Sequence, residues 1–186
     1  MHVLAIDIGT HTGWAISSGS EIRSGDWNLD HVNTPVDATK ELRFWRRLES
    51  MWNRYIRIEL IAFEDVVAHE RSDTKKVWCP KCKSSHHVKL RATNTIAAQV
   101  YGSLRGVLRM WADFHRIRIE GVPVGTLKLF ATGSGRAKKH DMIAWAKMRW
   151  PDQNIQSHDQ ADALHILDWA CVEVLGIKGK TRIKGR

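Results

Sequence analysis

The sequence lacks the features that would place it in a membrane, in a secretory pathway or among disulfide-rich proteins. No apolar run approaches the ~20 residues of a membrane-spanning helix, and the first residues lack the pattern of a signal peptide. Three cysteines, two of them in Cys79-Pro80-Lys81-Cys82, are too few for a disulfide framework and favour a metal instead. We therefore expect a cytosolic protein that neither spans nor binds a membrane.

Acidic residues are scarce relative to basic ones. Twenty-nine Lys and Arg against twenty Asp and Glu give a net charge of +9. Such a balance favours a polyanionic partner, most often nucleic acid, although it could serve solubility alone. No internal repeat is present, and 186 residues suit one domain. We predict a domain over residues 1–177 with an insertion at about 68–93, followed by a flexible basic tail at 178–186.

The hydrophobic pattern predicts an α/β fold in which a mixed five-stranded sheet is flanked by helices. Strands are expected at residues 3–8, 13–18, 21–29, 60–67 and 116–124. Helices are expected at residues 34–57, capped by Thr34 with Pro35 in the first turn, and at 94–115, 138–150 and 158–175. Residues 126–130 are expected to be a connection, and residues 68–93 show no clear period. Gly102 and Gly106, four residues apart, predict close helix packing.

Four carboxylates stand where a folded chain would bury them. Asp7 ends an apolar strand, and Glu64 lies near the end of another. Asp159 and Asp162 are three residues apart and share one face of the last helix. An acid near a helix start is ordinary by itself, but clustered carboxylates would repel each other unless divalent cations lay between them. Carboxylate oxygens favour Mg²⁺ or Mn²⁺, and two such ions ~4 Å apart can promote phosphodiester hydrolysis.

This order of acids resembles the RuvC-type Holliday junction resolvases of the RNase H-like fold, most closely their compact, phage-type branch. The resemblance runs through most of the chain. Its main segments are Ala5-Ile6-Asp7-Ile8-Gly9-Thr10, Ile61-Ala62-Phe63-Glu64, Ala98-Gln99-Val100-Tyr101-Gly102, residues 127–139 and Asp159-Gln160-Ala161-Asp162.

The resemblance implies a metal-dependent endonuclease that resolves four-way DNA junctions by symmetric nicking, works as a homodimer and needs no small-molecule cofactor. Asp7, Glu64, Asp159 and Asp162 would then be catalytic ligands of two Mg²⁺ or Mn²⁺ ions. Lys128 and Lys139 match basic positions near the scissile phosphate and the junction backbone. With them, the expected DNA contacts include Arg136, Lys138, Lys81 and Lys83. An aromatic wedge that bacterial members place shortly after the Glu is absent from Asp65-Val66-Val67.

A Cys/His cluster in the insertion predicts a zinc site. Cys79-x2-Cys82-x3-His86-His87 offers two thiols and imidazoles at spacings that suit tetrahedral Zn²⁺. The fourth ligand could be His87, His69 or a residue of a partner subunit. The alternative is a solvated basic loop with incidental thiols. In both cases the lysines around the cluster predict an arm over residues 69–91 that contacts DNA.

Three other functions are compatible with parts of this pattern. A nuclease of broader branched-DNA or RNA–DNA hybrid specificity would share the same site. Asp7-Ile8-Gly9-Thr10 also matches the first phosphate loop of actin-like ATPases and sugar kinases, but that class needs a second glycine-rich loop and about twice this length. The last alternative is a nucleic-acid-binding module in which the carboxylates are merely structural.

Overall fold

A five-stranded mixed sheet forms the centre of the molecule. The computed structural model describes residues 2–19, 21–30, 38–55, 57–66, 72–91 and 95–177, with the side chains of residues 72–75, 87–91 and 95 left aside. The strands of this sheet are β1 (His2–Asp7), β2 (His11–Ser18), β3 (Glu21–Asn28), β4 (Ile58–Asp65) and β7 (Arg118–Pro123). Their order is β3-β2-β1-β4-β7. Since β1–β2 and β2–β3 are antiparallel whereas β1–β4 and β4–β7 are parallel, the predicted mixed sheet is confirmed.

Helices cover both faces of this sheet. They are α1 (Lys40–Arg54), α2 (Thr95–Phe114), α3 (Val124–Thr132), α4 (Lys139–Arg149) and α5 (His158–Trp169), which continues as a π-helical turn (Ala170–Val174). Successive strand residues point to opposite faces. Leu4, Ile6 and Phe63 accordingly pack with α1 and α2, whereas Val3 and Ala5 pack with α3, α4 and α5. The second of these faces carries the candidate site.

Small residues bring α5 close to the sheet. Ala15, Ala5 and Ala62 lie side by side across β2, β1 and β4, and all three are fully buried on the α5 side. Ala161 and Ala163 of α5 are also fully buried in this cluster. Because alanine leaves the least side-chain volume short of glycine, the helix backbone approaches the strands closely.

The first helix begins later than predicted. Thr39 caps α1, since its hydroxyl accepts a hydrogen bond from the Leu42 amide (3.2 Å). The predicted start at Thr34 and Pro35 lies outside the described residues. The helix also ends at Arg54 rather than Arg57, because Arg57 has a left-handed backbone (φ 74°) that does not continue a helix.

The C-terminal half differs from the prediction at two places. Residues 124–132 form helix α3 rather than a connection, with Leu127 and Ala131 buried on one side. The helix ends at Gly133, whose left-handed backbone (φ 79°) terminates it. The last helix ends at Trp169, before the π-helical turn, instead of running to residue 175.

The insertion folds as a separate two-stranded hairpin of β5 (Ser72–Cys79) and β6 (Ser84–Arg91). The sequence shows no clear period over residues 68–93 because the pairing of these strands does not bury the apolar side chains Val77 and Trp78 of β5. The residues that flank the hairpin at 67–71 and 92–94, and the predicted tail at 178–186, lie outside the described residues. In the part of the chain that is described, no helix is long and apolar enough to cross a membrane.

The close packing predicted at Gly102 and Gly106 is not present among the described residues. A Cβ added at either glycine would meet nothing within 4 Å among the described residues. These glycines lie on an outward side of α2 that also exposes Met110 (56%) and Phe114 (72%).

Candidate active site

Strand alternation brings Asp7 and Glu64 to the α5 face of the sheet. Asp7 follows Val3 and Ala5 at two-residue steps, and Glu64 follows Leu60 and Ala62 in the same way. β1 and β4 are neighbours, and their parallel register pairs Ile6 with Phe63. The two carboxylates therefore lie side by side at the carboxyl ends of adjacent strands.

A glycine opposite Asp7 admits the start of α5. Gly13 is the antiparallel partner of Asp7 in β2. A Cβ on Gly13 would lie 1.9 Å from the carbonyl oxygen of Asp159, which no real side chain tolerates. The first turn of α5 thus rests directly on the backbone of β2. This contact places Asp159 and, one turn later, Asp162 over Asp7 and Glu64.

Polar contacts to β3 fix the start of α5. Ser157 caps the helix by accepting from the Gln160 amide (2.9 Å) and donates its hydroxyl proton to Asp26 (2.7 Å). The side chain of Gln160, which is buried, donates to the Ser24 hydroxyl (3.0 Å) and accepts from the Gln156 amide (2.9 Å). Sequence reasoning identified Ser157 as the cap but missed Gln160. Its signal was a polar residue in an otherwise apolar helix, between the two aspartates.

The four carboxylates disfavour one another's ionisation. Burial raises the pKa of Asp7 well above its usual range, and the charges of Glu64, Asp162 and Asp159 raise it further. Burial, followed by the charges of Glu64 and Asp159, raises the pKa of Asp162 to about 7. Burial is also the main cause of the raised pKa values of Glu64 and Asp159. These shifts show that the predicted residues from three separate segments form one electrostatic cluster.

The donor set of this cluster fits divalent cations. Oδ1 of Asp162 is buried and has no hydrogen-bond partner among the described residues, which is costly for an oxygen of a carboxylate. A cation such as Mg²⁺ or Mn²⁺ would satisfy that oxygen and offset the repulsion among the acids. Among the described side chains, only Cys79, Cys82 and His86 bring three donor atoms within 4.8 Å of one another. The carboxylate oxygens of the cluster do not come this close to one another in the structure.

Two lysines lie within electrostatic reach of the carboxylates. Lys139, at the start of α4, lowers the pKa of Asp7 and Asp159 against the larger opposing effects. Lys128, half-buried on α3, acts in the same way on Glu64 and Asp162. The structure therefore brings these two predicted DNA contacts to the site.

The other predicted DNA contacts are exposed on separate segments. Arg136 and Lys138 lie in the turn between α3 and α4, next to Lys139. Lys81 and Lys83 lie in the turn of the β5–β6 hairpin and belong to a different sheet. Only the first pair is continuous in sequence with a residue at the carboxylate cluster.

The end of β4 is held from the opposite side of the sheet. The Tyr101 hydroxyl donates to the carbonyl oxygen of Glu64 (2.9 Å) and accepts from the Val66 amide (2.9 Å). Asp65 lies on that opposite face, as strand alternation predicts, and pairs with Arg105 (2.9 Å). Tyr101 therefore positions the Glu64 backbone, a role that sequence reasoning did not assign to it.

The predicted zinc ligands converge at the hairpin. Sγ of Cys82 lies 2.8 Å from Nε2 of His86, and Cys79 completes the group. Hydrogen bonds from His86 and Ser84 lower the pKa of the Cys82 thiol to about 6. The side chain of His87, and all of His69, lie outside the described part of the structure, so their predicted roles remain predictions.

The fold is similar to that of two solved structures. The structure of Thermus thermophilus RuvC superposes with a TM-score of 0.60 at 19% sequence identity, covering 95% of this chain and 98% of that one. The chain has a RuvC-like fold. The structure of T. thermophilus RuvC in complex with a Holliday junction substrate gives a TM-score of 0.62, also at 19% identity, with 95% of this chain and 97% of that one covered. Neither a family model nor a curated protein sequence matches the chain.

The RuvC-like fold confirms the expected RNase H-like architecture, including its mixed sheet and flanking helices. At this level of identity the similarity establishes the fold, whereas the activity depends on the residues at the site.

Proposed function

We propose that the protein is a metal-dependent, structure-selective DNA endonuclease that resolves four-way junctions. The observation that carries this proposal is the meeting of Asp7, Glu64, Asp159 and Asp162 on one face of a RuvC-like sheet. One of the similar structures contains a Holliday junction substrate, and the charge of +9 suits a polyanion. A purely structural role would not explain why four half-buried acids, only partly offset by Lys128 and Lys139, share one face of the sheet.

The carboxylates would serve as the ligands of two Mg²⁺ or Mn²⁺ ions. When bound, these ions supply Lewis acidity toward the phosphodiester and favour deprotonation of the attacking water. Asp7, whose pKa the other three acids raise, would be one ligand, and Asp162 would contribute its buried Oδ1, which has no hydrogen-bond partner among the described residues. Gly13 and Gln160 fix α5 so that the ligands from the helix stay aligned with those from the strands.

The basic residues next to the cluster would bind the DNA backbone. Lys128 and Lys139 would neutralise the phosphates nearest the cut, and Arg136 and Lys138 would extend this contact along the strand. Lys81 and Lys83 in the hairpin turn would reach a more distant part of the branched substrate. Trp78, which is 60% exposed in β5, could stack there on an unpaired base.

We infer that the active form is a homodimer. Symmetric nicking of a four-way junction needs two active sites that face opposing strands. The outward side of α2 offers an apolar contact surface, because Ile96 (74%), Met110 and Phe114 are exposed and Gly102 and Gly106 leave room for a second backbone. A dimer that buried this surface would also explain why Gly102 and Gly106 have open space around them among the described residues of one chain.

A cleavage assay on four substrates tests this proposal. The purified protein is incubated in Mg²⁺ or Mn²⁺ with a four-way junction, a flap, a duplex and an RNA–DNA hybrid of matched sequence. Symmetric nicks in the junction, with little cleavage of the duplex, are expected. Equal cleavage of junction and flap would indicate broader branched-DNA specificity, and preference for the hybrid would indicate the RNA–DNA alternative. The absence of metal-dependent cleavage of all four substrates would refute the proposal that the protein is a nuclease.

A further inference from the structure

The β5–β6 hairpin lacks the support that a pair of strands needs in water. It forms a sheet of its own, apart from the five-stranded sheet. The large apolar side chains of β5 do not form a core, since Val77 is 43% exposed and Trp78 is 60% exposed. Isolated two-stranded hairpins are marginal in water, because they bury too little apolar surface to offset the loss of chain entropy. Some other interaction must hold the strands together.

The register of the hairpin gathers three metal-ligating side chains on one face of its tip. Val77 pairs with His86 and Cys79 pairs with Ser84, so Cys79 and His86 are diagonal neighbours on the same face. Cys82 lies in the turn and comes within 2.8 Å of the His86 ring. The donor atoms of Cys79, Cys82 and His86 all lie within 4.8 Å of one another.

The turn adopts a strained backbone to reach this arrangement. Lys83 has φ 47°, a left-handed conformation that is unfavourable for a residue with a side chain. Lys83 directly follows Cys82, and its conformation turns the chain back toward β6. The turn is exposed, and among the described residues nothing packs on it to offset this strain. A ligand shared by the clustered side chains would therefore stabilise the turn.

We propose that the hairpin binds one Zn²⁺ through Cys79, Cys82 and His86, and that this ion fixes the hairpin as a rigid arm. Two thiolates and an imidazole form a soft, nitrogen- and sulfur-containing set that favours Zn²⁺ over the Mg²⁺ or Mn²⁺ suited to the carboxylates. Binding replaces the missing core, because the free energy of coordination becomes free energy of hairpin folding. Lys76 and Trp78, on the opposite face by alternation, remain exposed.

The metal content of matched variants tests this site. The full chain is purified under reducing conditions after growth with added zinc, and its metals are measured by mass spectrometry. About one Zn²⁺ per chain is expected for the wild type, as a single site requires. Cys79→Ser, Cys82→Ser and His86→Ala should lose it. Cys171→Ser is the matched control, because this thiol lies far along the chain, and burial raises its pKa to about 11.

Two further measurements keep the test independent of the nuclease. Replacement of zinc by Co²⁺ should give thiolate-to-cobalt charge transfer and the intense visible bands of a tetrahedral ion, and both should be absent from Cys82→Ser. Removal of zinc with a chelator should speed tryptic cleavage at Lys76 in β5 and at Lys81 and Lys83 in the turn. Asp7→Asn should retain its zinc even if it abolishes cleavage of DNA. A zinc-free wild type, a Cys79–Cys82 disulfide, or unchanged zinc in the cysteine variants would overturn the proposal.

Discussion

Replacing Asp162 by asparagine should stabilise the metal-free protein while removing a ligand. Asp162 is half-buried on α5, and its Oδ1 is buried with no hydrogen-bond partner among the described residues. Asparagine has nearly the same shape but no charge, so the substitution removes the cost of burying a charge and the repulsion with Glu64 and Asp159, and it leaves the packing unchanged. The result distinguishes a carboxylate that binds a metal ion at the expense of stability from one that stabilises the fold.

The size of the effect follows from the pKa of Asp162, which is raised from 3.8 to about 7 in the folded protein. At 1.4 kcal/mol per unit, the ionised carboxylate lowers the free energy of unfolding by about 4 kcal/mol at pH 8. The folded state binds the proton more tightly than the unfolded state. Stability from this group is therefore fully present below about pH 4, is lost as the pH rises toward 7, and is absent above it. The gain in Asp162→Asn should accordingly shrink below about 1 kcal/mol at pH 4.

Urea denaturation at pH 4 and pH 8, in a chelator and in Mg²⁺, measures this effect. In the chelator at pH 8 the variant should unfold at higher urea than the wild type. Mg²⁺ should stabilise the wild type but the variant much less, because a bound ion stabilises only the state that binds it. Glu21→Gln, which neutralises an exposed carboxylate at the sheet edge, is the control and should change stability by less than about 0.5 kcal/mol. Equal stability of Asp162→Asn and the wild type at pH 8 would refute the reasoning.

Two other substitutions test how the site is built and how it binds DNA. Gly13→Ala should destabilise the protein by about 1–3 kcal/mol and slow junction nicking, because its Cβ would overlap the Asp159 carbonyl. Urea denaturation measures the first effect and the nicking rate the second; the control Gly125→Ala, at a position with open space around it, should change neither. A Gly13→Ala protein with wild-type stability and nicking rate would contradict the close approach of α5. Lys139→Ala should reduce the salt dependence of junction binding by about one unit of log–log slope, measured by fluorescence anisotropy, whereas Lys147→Ala at the far end of α4 should not. An unchanged slope in Lys139→Ala would remove that lysine from the interface.

The strands and the carboxylates that they carry could be predicted because a strand buried on both faces reads as a continuous apolar run. Asp7 follows the run at residues 3–6 and Glu64 follows the run at residues 60–63, so each acid stands out from its apolar neighbours. The placement of Asp159 and Asp162 was predictable from their spacing and from the Ser157 cap. These patterns involve residues that are close in sequence, and they are clear because the sheet has a buried core on each face.

The missed features depend on contacts between distant segments. The closeness of Gly13 to Asp159 and the hydrogen bonds of Gln160 and Tyr101 join residues far apart in the chain, so no local pattern reveals them. Helix α3 was missed because its nine residues bury only Leu127 and Ala131, which is too short a stripe to show a period. The hairpin was missed because its described apolar side chains, Val77 and Trp78, are exposed, so no alternation of apolar and polar residues marks its strands.

The most direct test of the account compares the wild type with Asp7→Asn on a four-way junction. Binding is measured by gel shift in Ca²⁺ and nicking in Mg²⁺, with the same protein preparations. The account predicts that Asp7→Asn binds the junction as tightly as the wild type, because the basic surface is intact, but does not nick it. Undiminished nicking by Asp7→Asn would contradict a site in which Asp7 is the central metal ligand.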